Sequence, residues 1–130
     1  MAKVDRSKRE EGTTFHPKFD ANGLLTAVVQ HYETREILML AHMNIEALNL
    51  TRRTGFAHFF SRSRQSLWKK GETSGNFLRV ERILVDCDQD ALVLVCKPEG
   101  PACHTGRPTC FYRELEESGL KPIDEKHSPT

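Results

Sequence analysis

The sequence predicts an α+β fold in one domain, built on a small and mainly antiparallel sheet with one or two short helices. Three features carry that expectation. Apolar and β-branched runs recur between turn residues, one stretch alone carries both helix caps, and 130 residues suit a single hydrophobic core. The domain is expected over 1–130, with its core at about 20–117 and a polar extension at each end.

Taken in order, residues 1–14 are charged and without periodicity, so they are expected to dock loosely at most. Asn22-Gly23 is a turn signal, and residues 24–32 that follow are rich in small and β-branched types, as strands are. Residues 36–43 form a second apolar run, with Thr34-Arg35 placed to join the two as a hairpin. Asn44 reads as an N-cap for a helix over Ile45–Thr54, and Gly55 fits its C-terminal stop. The apolar stripe of that helix is narrow. Residues 56–61 are aromatic and strand-like. Residues 61–76 are polar, hold two glycines, and read as a long loop with room for one helical turn. The strongest strand signals are 77–88 and 91–97. A last short strand is expected at 110–114, before a polar tail at 118–130 that holds Pro122 and Pro129.

Charged residues make up 28% of the chain against 38% hydrophobic, the balance of an ordinary soluble domain. A net charge of +1 gives no reason to expect bulk binding to nucleic acid or to an anionic membrane. No apolar run approaches the ~18 residues that a transmembrane helix needs. Residues 1–12 lack the apolar stretch of a secretory signal, so a cytoplasmic location is expected. Thiols stay reduced there, and the four cysteines read as metal ligands or catalytic groups rather than disulfides.

Two segments concentrate metal-type donors. In Asp86-Cys87-Asp88-Gln89-Asp90, a strand running through would put Asp86, Asp88 and Asp90 on one face and Cys87 on the other. Three carboxylates on one face repel unless a cation sits among them, and oxygen donors suit Mg²⁺; a solvated acidic turn is the other reading. The calcium loop of an EF-hand is excluded, because its positions six and twelve hold Ala91 and Lys97 instead of Gly and Glu.

The second segment, GPACHTGRPTC, spaces Cys103 and Cys110 by six residues in a polar loop broken by two glycines and two prolines. Thiolates favour zinc, and a zinc with an open position for water is a catalytic one. Such a zinc lowers the pKa of bound water towards ~7. His104 is either a further ligand or a general base, and the need for an open position favours the base. Cys96, flanked by apolar residues, reads as a core cysteine.

Residues 61–76 pack four cations, the only tryptophan and several hydroxyls together. Arginine forks and amides near glycine suit phosphate, and an indole suits either stacking on a base or the core. A solvated basic loop with Trp68 in the core is the other reading; it is the similarity to known motifs, quoted next, that makes Arg62, Arg64, Trp68, Lys70, Ser74 and Asn76 the candidate substrate contacts.

In this order, SRSRQSLWKKGETSGN, DCDQD and GPACHTGRPTCFYR resemble the motifs of phosphoribosyl-AMP cyclohydrolase, a family of histidine biosynthesis. The earlier LMLAHMN, beginning at Leu38, is similar too, and the resemblance covers roughly 20–114. It implies hydrolysis of the N1–C6 bond of the adenine ring in phosphoribosyl-AMP, giving the formimino carboxamide ribotide. It also implies an intertwined homodimer that takes a small nucleotide and binds zinc and Mg²⁺. The family's zinc cysteines fall on Cys87, Cys103 and Cys110, with Cys87 contributed by the partner subunit. Its magnesium aspartates fall on Asp86, Asp88 and Asp90. Many relatives carry a pyrophosphohydrolase domain after this one; at 130 residues the chain reads as monofunctional.

The implied chemistry suits the residues. A substituent at N1 leaves the ring electrophilic, His104 can move protons, and the arginines with Lys69 and Lys70 can hold phosphate. A nucleobase deaminase would carry H-x-E…P-C-x-x-C, which is absent. A zinc-stabilised nucleic-acid-binding module would be expected to show a fourth thiolate and a stronger positive charge.

Overall fold

The computed structural model describes residues 6–123. Strand β1 (Leu25–His31) and strand β2 (Ile37–Met43) form the expected antiparallel hairpin, with a bulge between Val29 and Gln30. Helix α2 (Ile45–Thr54) starts and stops where its caps dictate. The Asn44 carboxamide accepts from the Ala47 N–H at 2.9 Å, satisfying one of the unpaired first-turn donors. Gly55 takes φ 80°, a left-handed conformation that glycine adopts without strain, and its N–H closes on the Thr51 carbonyl.

Strand β5 (Leu78–Val85) and strand β6 (Ala91–Pro98) pair antiparallel, and β6 lies parallel to β1. The main sheet therefore runs β2-β1-β6-β5, with two of its three pairings antiparallel. The fold is α+β and mainly antiparallel. β6 sits inside the sheet, which is why Leu92, Leu94, Val95 and Cys96 are all buried rather than alternating. Phe59 from the neighbouring hairpin, Leu25, Met43, Leu48 and Leu78 complete one contiguous core cluster. Each such side chain contributes about 1.5–3 kcal/mol by leaving water.

Expectations for the basic stretch and for both ends of the chain need correction. The stretch 61–76 is not all loop: strand β4 (Ser66–Lys69) pairs with strand β3 (His58–Ser61) through a turn in which Gln65 takes φ 49°. Its four residues are too few to reveal a period, and what fixes them is the pairing with β3, which sets the Trp68 ring 5.1 Å from that of Phe59. The expected strand at 110–114 begins only at Arg113. Strand β7 (Arg113–Glu116) pairs with strand β8 (Gly119–Pro122), which takes up part of the stretch read as a tail. At the other end, helix α1 (Arg6–Glu11) stands where no periodicity was visible, and it buries none of its residues. Pro129 and the rest of 124–130, like residues 1–5, lie outside the described residues. Among the described residues no helix is long and apolar enough to cross a membrane.

Candidate functional site

The acidic segment is a turn, not a strand. β5 leaves the ladder at Val85, and the chain reverses over 86–90. Asp86 drives this locally: its carboxylate accepts the N–H groups of Asp90 at 3.0 Å and Ala91 at 3.1 Å, and Gln89 takes φ 58°. The three carboxylates converge all the same, with ligand atoms within 4.8 Å of one another. The grouping was legible in the sequence, but its cause is the turn rather than the pleat. The hydrogen bonds that a protonated Asp90 carboxyl donates to Asp88 and Asp86, with burial and the repulsion of their charges, hold it above its ordinary range. For Asp86, burial acts upward, but the bonds it accepts, led by that from Ala91, set it lower. Cys87 projects from the same turn, exposed, beside a cleft of about 260 Å³ under the N-terminal segment.

The other two sequence-predicted cysteines meet elsewhere. The loop 100–110 is folded on itself by Cys103 N–H to Arg107 O (3.1 Å) and Gly106 N–H to Cys103 O (3.0 Å). It is fastened to β2 by Cys110 N–H to Leu38 O (2.7 Å) and by the Thr109 hydroxyl to Ile37 O (2.6 Å). This brings the two thiols into hydrogen-bond contact with each other. Burial works against a Cys103 thiolate, yet the Thr105 hydroxyl at 3.0 Å, the Thr105 amide, the Cys110 thiol and the Lys70 charge outweigh it and lower its pKa. Desolvation, then the charge of Cys103, pushes Cys110 up to about 11. Cys96 is fully buried in β6 and pushed to about 12 by burial, as a core cysteine should be.

The basic segment meets this loop at two points. Lys70 lies within electrostatic reach of both thiols. Asn76 packs on Gly100, where any Cβ would collide with its amide oxygen, so glycine is required for the two loops to approach. Lys70 and Ser74 line a cleft of about 330 Å³ with Arg64 and Trp68. Arg62, Arg64 and Trp68 also line a larger cleft of about 570 Å³ with His42. Trp68 is therefore both core and wall: half-buried against Phe59, and bordering both clefts. His104 is exposed on the turn just after Cys103.

A family model described as phosphoribosyl-AMP cyclohydrolase matches residues 39–112, a span holding the thiol pair, the aspartate turn and the basic hairpin. The chain belongs to the phosphoribosyl-AMP cyclohydrolase family. A curated phosphoribosyl-AMP cyclohydrolase of Erythrobacter litoralis is 63% identical over 123 residues, 95% of this chain and 98% of that one. Another, from Sphingopyxis alaskensis, is 58% identical over 112 residues, 86% and 89% of the two chains. A third, from a Chelativorans species, is 57% identical over 122 residues, 92% and 88% respectively.

Several residues at the family's motifs were not singled out from sequence. His42 faces the larger cleft, and burial followed by the Arg62 charge lowers its pKa. Thr105 and Thr109 hold the thiol loop, and Gln89 holds the acidic turn. His42 sits in the quoted LMLAHMN, Gln89 in DCDQD and both threonines in GPACHTGRPTCFYR, so a motif-level signal existed for each, though residue type alone gave no role to any of them.

Proposed function

We propose that this chain hydrolyses the N1–C6 bond of the adenine ring of phosphoribosyl-AMP, giving the formimino carboxamide ribotide in histidine biosynthesis. The observation that carries the reading is the meeting of Cys103 and Cys110 beside Lys70, with Cys87 held apart on the acidic turn. Soft thiolate donors fit zinc, and two of them from one chain leave room for Cys87 of a second copy and for water. Among the described residues the three aspartates are the one cluster of three or more candidate ligands, and their oxygen donors fit Mg²⁺. A homodimer with zinc shared between subunits accounts for both arrangements.

When bound, zinc supplies a Lewis acid and brings the pKa of a coordinated water towards ~7. The chain's own residues do the rest. Lys70 favours the anionic form of the thiols. His104, exposed and adjacent to Cys103, moves protons between the attacking water and the ring nitrogen that departs. Arg62 and Arg64 meet phosphate as bidentate donors, and the exposed part of Trp68 offers a face to the base. Ser74 lines the cleft that Lys70 borders, and Asn76 packs on Gly100 of the thiol loop. The test is direct: phosphoribosyl-AMP added to purified, zinc-loaded protein should change its ultraviolet absorbance as the purine ring opens. An unchanged spectrum with verified zinc content would overturn the assignment.

A further inference from the structure

Gln89 occupies a position where turn chemistry favours a different residue. Its φ of 58° is left-handed, a conformation that suits Gly or Asn and strains longer side chains. It is also only 6% exposed. What glutamine provides there is reach. Its Oε1 accepts from the His16 N–H at 2.6 Å, and its Nε2 donates to Arg9 O at 2.8 Å and Thr14 O at 3.3 Å. Its own carbonyl accepts from the Lys18 N–H at 2.7 Å. These side-chain bonds join positions 73 to 80 residues apart.

The bonds decide where the N-terminal segment lies. Helix α1 has six residues and buries none of them, so neither propensity nor apolar packing can hold it in place. Phe15 and Phe19 rest on the core further along; before Phe15, the carboxamide of Gln89 ties the segment to the acidic turn through Arg9 O and Thr14 O. Held in this way, the segment puts Arg6 within electrostatic reach of Asp88 and Cys87 and covers the cleft that Cys87 borders. The same clasp restrains a turn whose three carboxylates repel one another.

We propose that Gln89 is a positioning residue: by clasping residues 9–18 it holds the turn 86–90 in the shape that gathers Asp86, Asp88 and Asp90 for a divalent cation. This rests on the cation reading given above. The Gln89 carboxamide is committed to His16, Arg9 and Thr14, so its action runs through the turn.

The test uses Gln89→Asn and Gln89→Gly in the full chain. Both residues suit the left-handed backbone, and neither reaches the N-terminal segment, so the turn is kept and the clasp is lost. Mn²⁺, titrated by electron paramagnetic resonance, reports cation affinity. Amide exchange at His16 reports the clasp, and zinc content reports the thiol pair. In both variants, Mn²⁺ binding should weaken by on the order of tenfold. The His16 amide should lose protection, zinc content should stay at the wild-type level, and excess Mg²⁺ should restore turnover. Wild-type Mn²⁺ affinity in variants whose His16 amide has lost protection would overturn the proposal, reducing the clasp to a local tether. Loss of cooperative melting in both would also overturn it, making Gln89 a determinant of folding. Failure of the wild-type protein to bind Mn²⁺ would instead strike at the cation reading itself.

Discussion

Cys110 donates its backbone N–H to the carbonyl oxygen of Leu38 at 2.7 Å. That bond fastens the second thiol to β2, an edge strand of the main sheet, and covers a backbone acceptor the edge would otherwise expose. The thiol pair is thus registered against the core by main-chain bonds, with Thr109 as its side-chain counterpart.

Thr109→Val tests that registration. It removes the hydroxyl bonded to Ile37 O at 2.6 Å, which also accepts the Phe111 N–H at 3.0 Å. Stability should fall by about 1 kcal/mol in urea unfolding. Zinc affinity, measured by competition with a chelator, should fall with it. Wild-type zinc affinity would show that the Cys110–Leu38 bond registers the loop unaided.

Cys103→Ser and Cys110→Ser should each abolish turnover and release zinc from a protein that still melts cooperatively, because a hydroxyl is a poor zinc ligand. His104→Ala should lower turnover by roughly 10²–10⁴ while zinc is retained. Metal analysis alongside kinetics separates the two roles, since loss of zinc from the His104 variant would make that residue a ligand.

Asp88→Asn should weaken the dependence on Mg²⁺ and leave zinc content unchanged. The aspartates converge on a turn, whereas Cys103 and Cys110 lie on a separate loop. Zinc lost in proportion to magnesium would mean one shared cluster.

Cys87→Ala and Cys103→Ala homodimers should both be inactive, yet mixing them under conditions of subunit exchange should restore activity. One site of each heterodimer carries both defects and the other carries none. Random reassortment makes half the dimers heterodimers, so roughly a quarter of wild-type activity should return. No recovery after verified exchange would confine all three cysteines to one chain.

The parts of this protein legible in its sequence are those whose causes are local. Asn44 and Gly55 bound α2 because a cap acts on backbone groups within four residues of itself. Donor identity is local too, so Cys103, Cys110 and the three aspartates stood out as metal-type residues, and Cys96 as core. Even the aspartate grouping, assigned to strand alternation, rested on residues close enough in sequence for a turn to gather them as well.

What only the tertiary structure decided depends on contacts between distant segments. Even strand β4, only a hairpin away from its partner, forms through the pairing with β3 that seats Trp68 on Phe59, and nothing within Ser66–Lys69 announces it. Lys70 stands beside the thiols and Asn76 packs on Gly100, close approaches that no spacing reveals. The N-terminal segment lies over the acidic turn because one buried carboxamide reaches backbone groups more than seventy residues away. Composition and period describe how a chain treats its near neighbours; which loop meets which is settled only when the shared core closes and each buried polar group must find a partner.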